Sequence, residues 1–195
     1  MADITQLILD DHEWFRARFA ALDDLQARGA GPGELSRVWD PLAAHLDLHA
    51  VAEEEIFYPQ LLTRGEDPED ETLDAIGDHN DIRDGAHDAE RHPVGGDSWW
   101  AAVGRTRVAN DEHMAEEERE GLADFRLNAP MGLRESLGRR FAEYIEAHRG
   151  ARGVDTADKD PQEYVREVEE EIREDSQPAD RPDETSLGIG SLKGR

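Results

Sequence analysis

Six side chains of two chemical types recur along the chain in a doubled pattern: His12, then His49 and Glu53, then His79, then His113 and Glu117. Each half reads as a histidine followed by a His-x-x-x-Glu pair, with 37 residues between the histidines in the first half and 34 in the second. Residues four apart lie on one face of a helix, one turn from each other, so each pair can aim an imidazole and a carboxylate into one cavity. All six fall on apolar stripes. His12 sits among Ile8, Phe15 and Phe19, His49 and Glu53 between Leu42 and Ile56, His79 after Ile76, and His113 and Glu117 after Val103, Thr106 and Asn110. Charge buried on such a stripe has to be paired or bound to metal. Few lysines or arginines share the stripes.

The stripes themselves predict helices over the first 149 residues. A first helix is expected at about 3–28, ended by GAGPG at 29–33. A second is expected at about 33–63, with a kink or short break at Pro41 and at Pro59, because proline removes a backbone donor and crowds the preceding turn. After RGEDPED at 64–70 a third follows at about 70–91, closed by HPVGGD, and a fourth at about 98–127. Asn128-Ala129-Pro130 separates a fifth helix that reaches about His148. No strand-like alternation of useful length occurs. The expectation is an all-α, up-and-down antiparallel four-helix bundle with a fifth C-terminal helix, joined by short connections.

Depth in such a bundle is an independent check, since residues at one height in a hairpin are symmetric about its loop. The midpoint of 12 and 49 is 30.5, that of 53 and 79 is 66, and that of 79 and 113 is 96, each inside a loop assigned from glycine and proline alone. Four helices therefore bring four histidines and two glutamates to about one level. Two separate carboxylates suit two ions better than one. If both bridge, each ion receives two nitrogens and two oxygens, a bridging oxo or hydroxo group adds a fifth, and one position stays open. Imidazole and carboxylate without thiolate suit iron best, with manganese and zinc as alternatives.

His12, HAVAE at 49–53, His79 and HMAEE at 113–117 together resemble the hemerythrin-like (HHE cation-binding) domain family, over about residues 4–127. The resemblance implies a hemerythrin-like bundle over 1–149 with a non-haem di-iron centre that meets oxygen or related small molecules. By it, His12, His49, His79 and His113 are terminal ligands, and Glu53 and Glu117 are bridges. Oxygen-carrying members place a further histidine four residues after the third-helix ligand; here that residue is Arg83, which stays protonated and cannot ligate. The site is then expected to have one protein ligand fewer. His45, one turn before His49, is a candidate extra ligand or hydrogen-bond partner of the ligands, and Arg83 a candidate partner. Three functions follow: binding or sensing of oxygen, nitric oxide or peroxide at the open position; catalase-like disproportionation of peroxide; or iron storage or sensing with the tail as output.

Blander readings stand beside these. A lone inward histidine is usually a hydrogen-bonded core residue; six at one height carry the argument. The runs Glu53–Glu55 and Glu116–Glu118 read mostly as solvated faces, with one glutamate of each turned inward and Glu116 a rival to Glu117. His87, His92 and His148 read as surface residues, and Trp99 and Trp100 as packing at the bundle end.

The net charge of −25, with acid spread along the chain, repels nucleic acid and anionic membranes. Cysteine is absent, which excludes disulfides and thiolate sites, and lysine occurs only at 159 and 193. The N-terminus has no basic n-region followed by an apolar run, and no stretch approaches a membrane span. A soluble, cytoplasmic protein is expected. Residues 150–195 read as an acidic flexible tail of unknown protein partner, with one amphipathic stretch at 161–174 through Tyr164, Val168 and Ile172.

Overall fold

The side chain of Asp3 accepts a hydrogen bond from the Thr5 amide at 3.0 Å and opens the first helix, α1 (Ile4–Ala27). In the computed structural model, which describes residues 3–66 and 68–176, every regular element is helical. Gly29, at φ +68°, lets the chain leave α1, and the Ala30 amide bonds back to the Leu25 carbonyl. Then follow α2 (Pro32–Ala52), a wide π-helical turn at Glu53–Phe57, α3 (Tyr58–Arg64), α4 (Pro68–Glu90), α5 (Asp97–Arg119), α6 (Gly121–Asn128), α7 (Met131–Ala147) and α8 (Pro161–Ser176). The expected all-α bundle is present. Its four rods are α1, the α2–π–α3 line, α4, and the α5–α6 line, with α7 laid against α1 and α2.

Two details differ from the sequence expectation. The second rod passes through Pro41 without a break, and its irregularity lies instead at Glu53–Phe57, where the Tyr58 amide reaches five residues back to the Glu53 carbonyl. Pro59 has no amide to give Glu55, and a widened turn just before it relieves the crowding a proline ring causes. The fourth rod is not continuous either. Glu120 leaves helical geometry at φ −112°, ψ −82°, and Gly121, a poor helix former, begins α6.

The core is divided in two. One cluster holds Ile8, Ile56, Phe57, Ile76, Phe125 and Phe141. The other holds Phe15, Phe19, Leu42, Trp39, Trp99 and Met114. Between Ile8 and Phe15 on α1 comes His12, and the polar layer that it begins separates the two clusters. Trp99 is buried edge-on against Trp39, the end packing expected of it. Beyond residue 149, the expected amphipathic helix forms as α8 and docks on α3 and α4, burying Tyr164, Val165 and Val168. The rest of the expected tail, 177–195, lies outside the described residues. No helix among the described residues is long and apolar enough to cross a membrane.

Candidate metal centre

The four rods bring His12 (α1), His49 and Glu53 (second rod), His79 (α4), and His113 and Glu117 (α5) into the polar layer, each at most 6% exposed. His12, His49 and Glu53 form one cluster whose ligand atoms all lie within 4.8 Å of one another, and Glu53, His79 and His113 form a second. Glu53 belongs to both. Its Oε1 is 2.9 Å from His49 Nε2 and its Oε2 is 3.3 Å from His79 Nε2, so each oxygen faces a different half. Glu117 turns inward and Glu116 is exposed. Glu117 Oε2 is 3.3 Å from His12 Nε2, while its Oε1 accepts a hydrogen bond from the Tyr58 hydroxyl at 2.9 Å. Glu53 thus faces both clusters, and Glu117 leans toward the His12 half.

Behind each imidazole stands a carboxylate on Nδ1: Glu118 on His12 at 2.9 Å, Asp11 on His49 at 3.0 Å, Glu54 on His79 at 2.9 Å, and Asp78 on His113 at 3.5 Å. A carboxylate accepts only, so the Nδ1 atoms of His12, His49 and His79 donate to it, and their Nε2 atoms are turned inward. Outer carboxylates of this kind carry their own partners. Arg16 binds Glu118 at 2.8 Å, His45 binds Asp11 at 3.1 Å, and Arg83 binds Glu54 at 2.6 Å. His45 and Arg83 are therefore outer partners: neither reaches the centre in this arrangement.

The outer set corrects the reading of the glutamate runs as mostly solvated faces. Glu54 is buried and Glu118 half-buried, each committed to a histidine from the other half. The signal was in the sequence. Asp-His-x-x-x-Arg occurs at 11–16 and again at 78–83, and His-x-x-x-Glu-Glu at 49–54 and again at 113–118. The doubling extends from the six inner residues to their partners. Tyr58 and Lys159 have no counterpart in the repeat, and nothing in periodicity marks them.

Electrostatics follow from burial set against pairing. Burial penalises the charged form of His49, but Glu53 and Asp11 outweigh it and hold the imidazole well above its usual range. The same contest, settled by Glu117 and Glu118, raises His12; Glu53 and Glu54 raise His79. Glu53 is held well below the usual carboxylate range, since His49 and His79 overcome its burial. Glu54, against burial, is drawn down to about 2 by His79, Arg83 and Lys159. Burial and the nearby Glu117 push the Tyr58 phenol well up, so it stays a donor.

The donor set fits a metal. His12 Nε2, His49 Nε2, both Glu53 oxygens and Glu117 Oε2 are buried without hydrogen-bond partners. His79 Nε2 and His113 Nε2 face each other at 3.2 Å in the middle of the layer. A small opening in the surface beside the layer is lined by Tyr58, Ala75 and His113, with Glu71, Asp74, Asp78, Glu116 and Glu120 around it.

Comparison with known proteins agrees with this geometry. No curated protein and no solved structure matches the chain at a significant level. The sequence profile of the hemerythrin HHE cation-binding domain matches residues 3–123, which span all six inward residues and the first five helices, and on that match the chain belongs to the hemerythrin HHE cation-binding family.

Proposed function

We propose that this chain is a non-haem di-iron protein that binds or senses a small uncharged molecule, oxygen or nitric oxide. Its two ions would sit one in each histidine cluster, with Glu53 between them. The observation that carries the reading is Glu53 itself, with one oxygen toward His49 and the other toward His79. A single ion would leave one of those oxygens and two inward imidazoles without purpose. The acidic opening favours cations and uncharged molecules over anions.

Arg83 gives support to a second reading. Its side chain is turned to Glu54, so the protein supplies one ligand fewer than an oxygen carrier would. The space left would let peroxide reach both ions and be disproportionated to water and oxygen, with the redox chemistry supplied by the iron.

Elemental analysis of protein loaded anaerobically with ferrous iron should find about two irons per chain. An optical adduct with oxygen or nitric oxide that reverses on purging, without turnover, supports binding. Oxygen evolution from added peroxide that disappears in His49→Ala supports the enzyme instead. One iron per chain or none rejects the centre.

A further inference from the structure

The doubled outer set is broken at two points: the repeat puts Ala109 where His45 stands beside Asp11, and the cations on Glu118 and Glu54 differ. Glu118, the partner of His12, carries one cation, Arg16, and its side chain is 28% exposed. Glu54, the partner of His79, carries two cations and its side chain is fully buried. Arg83 binds its Oε1 at 2.6 Å, and Lys159 Nζ lies 2.9 Å from its Oε2. The lysine comes from outside the repeat, on the segment leading into α8, and beyond the residues the family profile matches.

That segment is tied down at several atoms. Asn80 donates from Nδ2 to the Lys159 carbonyl at 2.7 Å, and its Oδ1 accepts the Lys159 amide at 3.0 Å. The Tyr164 hydroxyl donates to the Glu54 carbonyl at 2.5 Å. Asn80 follows His79 and Glu54 follows Glu53 in the chain, so the docking contacts fall on the immediate neighbours of two inward ligands. Val165 and Val168, buried against the bundle, hold the helix in place.

We propose that Lys159 is a positioning residue that makes the two metal positions inequivalent by weakening the one at His79. A carboxylate behind an imidazole raises its basicity as a ligand. A second cation on that carboxylate draws its charge away, so His79 becomes the poorer donor while His12, with its single arginine, stays the better one. The positive charge adds direct repulsion toward an ion at His79. The bundle then provides two half-sites that already differ, since Glu117 leans toward His12, and the C-terminal segment lowers the His79 side further. This rests on the two-metal reading above.

Zinc, titrated into the metal-free full chain under chelator competition, is a probe free of redox chemistry. In the unmodified chain it should bind in two steps at least about tenfold apart. Lys159→Met should tighten the weaker step about fivefold, within the usual range of coupling between sites, and leave the stronger one unchanged; Lys159→Arg should restore the gap. Tyr164→Phe removes one hydrogen bond to Glu54 while Asn80, Val165 and Val168 still hold Lys159 in place, and should leave both constants as they were. Circular dichroism of each metal-free variant checks that the bundle and its helix content persist. A Lys159→Met chain whose weaker step is unchanged or weakened overturns the proposal, as does a Tyr164→Phe chain that copies its effect, which would assign the role to docking. Fewer than two zinc ions in the unmodified chain would reject the two-metal reading instead.

Discussion

Glu53 offers one oxygen to each histidine pair, so its loss should be felt on both sides of the centre while the loss of one histidine is felt on one. Glu53→Gln is expected to leave close to no bound metal, and His12→Ala and His113→Ala close to one ion each, by elemental analysis after desalting. Tyr58 acts at one remove. Tyr58→Phe removes a buried hydrogen bond to a carboxylate, of a kind that contributes about 1.5–3 kcal/mol, and urea denaturation of the metal-free protein should show a loss of that size with metal stoichiometry unchanged. The six inward residues were legible because a histidine on an apolar stripe contradicts its surroundings. Their partners were less so. Asp11 and Asp78 stand next to a histidine in sequence, yet each serves the histidine of the following rod, and only the fold makes that crossing visible.

At the scale of elements, α4 and α5 are held close where Gly85 meets Thr106. A Cβ at Gly85 would stand 2.5 Å from the Thr106 hydroxyl and 3.0 Å from its backbone nitrogen. Alanine is the better helix former by about 1 kcal/mol, so Gly85→Ala would stabilise an isolated helix. Here backbone must move, at a cost of about 1–3 kcal/mol. The expected outcome is a lower Tm together with weaker zinc binding, since His79 and His113 ride on the two helices being pushed apart. Rod lengths and loops could be read from stripe and punctuation. The wide turn at Glu53–Phe57 could not: proline signals a disturbance, but whether the chain kinks, breaks or adds a residue to the turn depends on what packs around it. Around Glu53 that includes the neighbouring helices and α7, which bury the second rod on nearly every side from Leu48 to Glu54.

For the whole molecule, metal, protons and salt act on the same layer. His12, His49 and His79 have imidazoles held above their ordinary value by carboxylates. The stability they lend the metal-free chain is complete below the unfolded histidine pKa, about 6.5, and is lost as pH rises through the raised values. Metal replaces those protons. The Tm gap between loaded and metal-free protein should therefore widen as pH increases above 6.5, and loading at neutral pH should release protons measurable with an indicator dye. At a hundredfold excess over Kd, loading adds about 2.7 kcal/mol, which for a chain of this size raises Tm by about 5–10 °C. The acidic opening adds a kinetic effect: ferrous ion should load more slowly as sodium chloride is raised, because steering of a cation is screened. Charge balance was readable at this scale from composition, and helix content from the apolar stripes. The docking of α8 was not, since a short amphipathic stretch in an acidic segment gives no sign of which surface will receive it.

The ionic layer also lies between two separate oily clusters of the interior. Cohesion across that plane rests on pairs of opposite charge, or on the ions that replace them. Stripped of metal and taken to a pH at which the imidazoles discharge, the protein should begin to open at its waist, with amide exchange rising first around Ala50–Ala52 and Met114 while both ends stay closed.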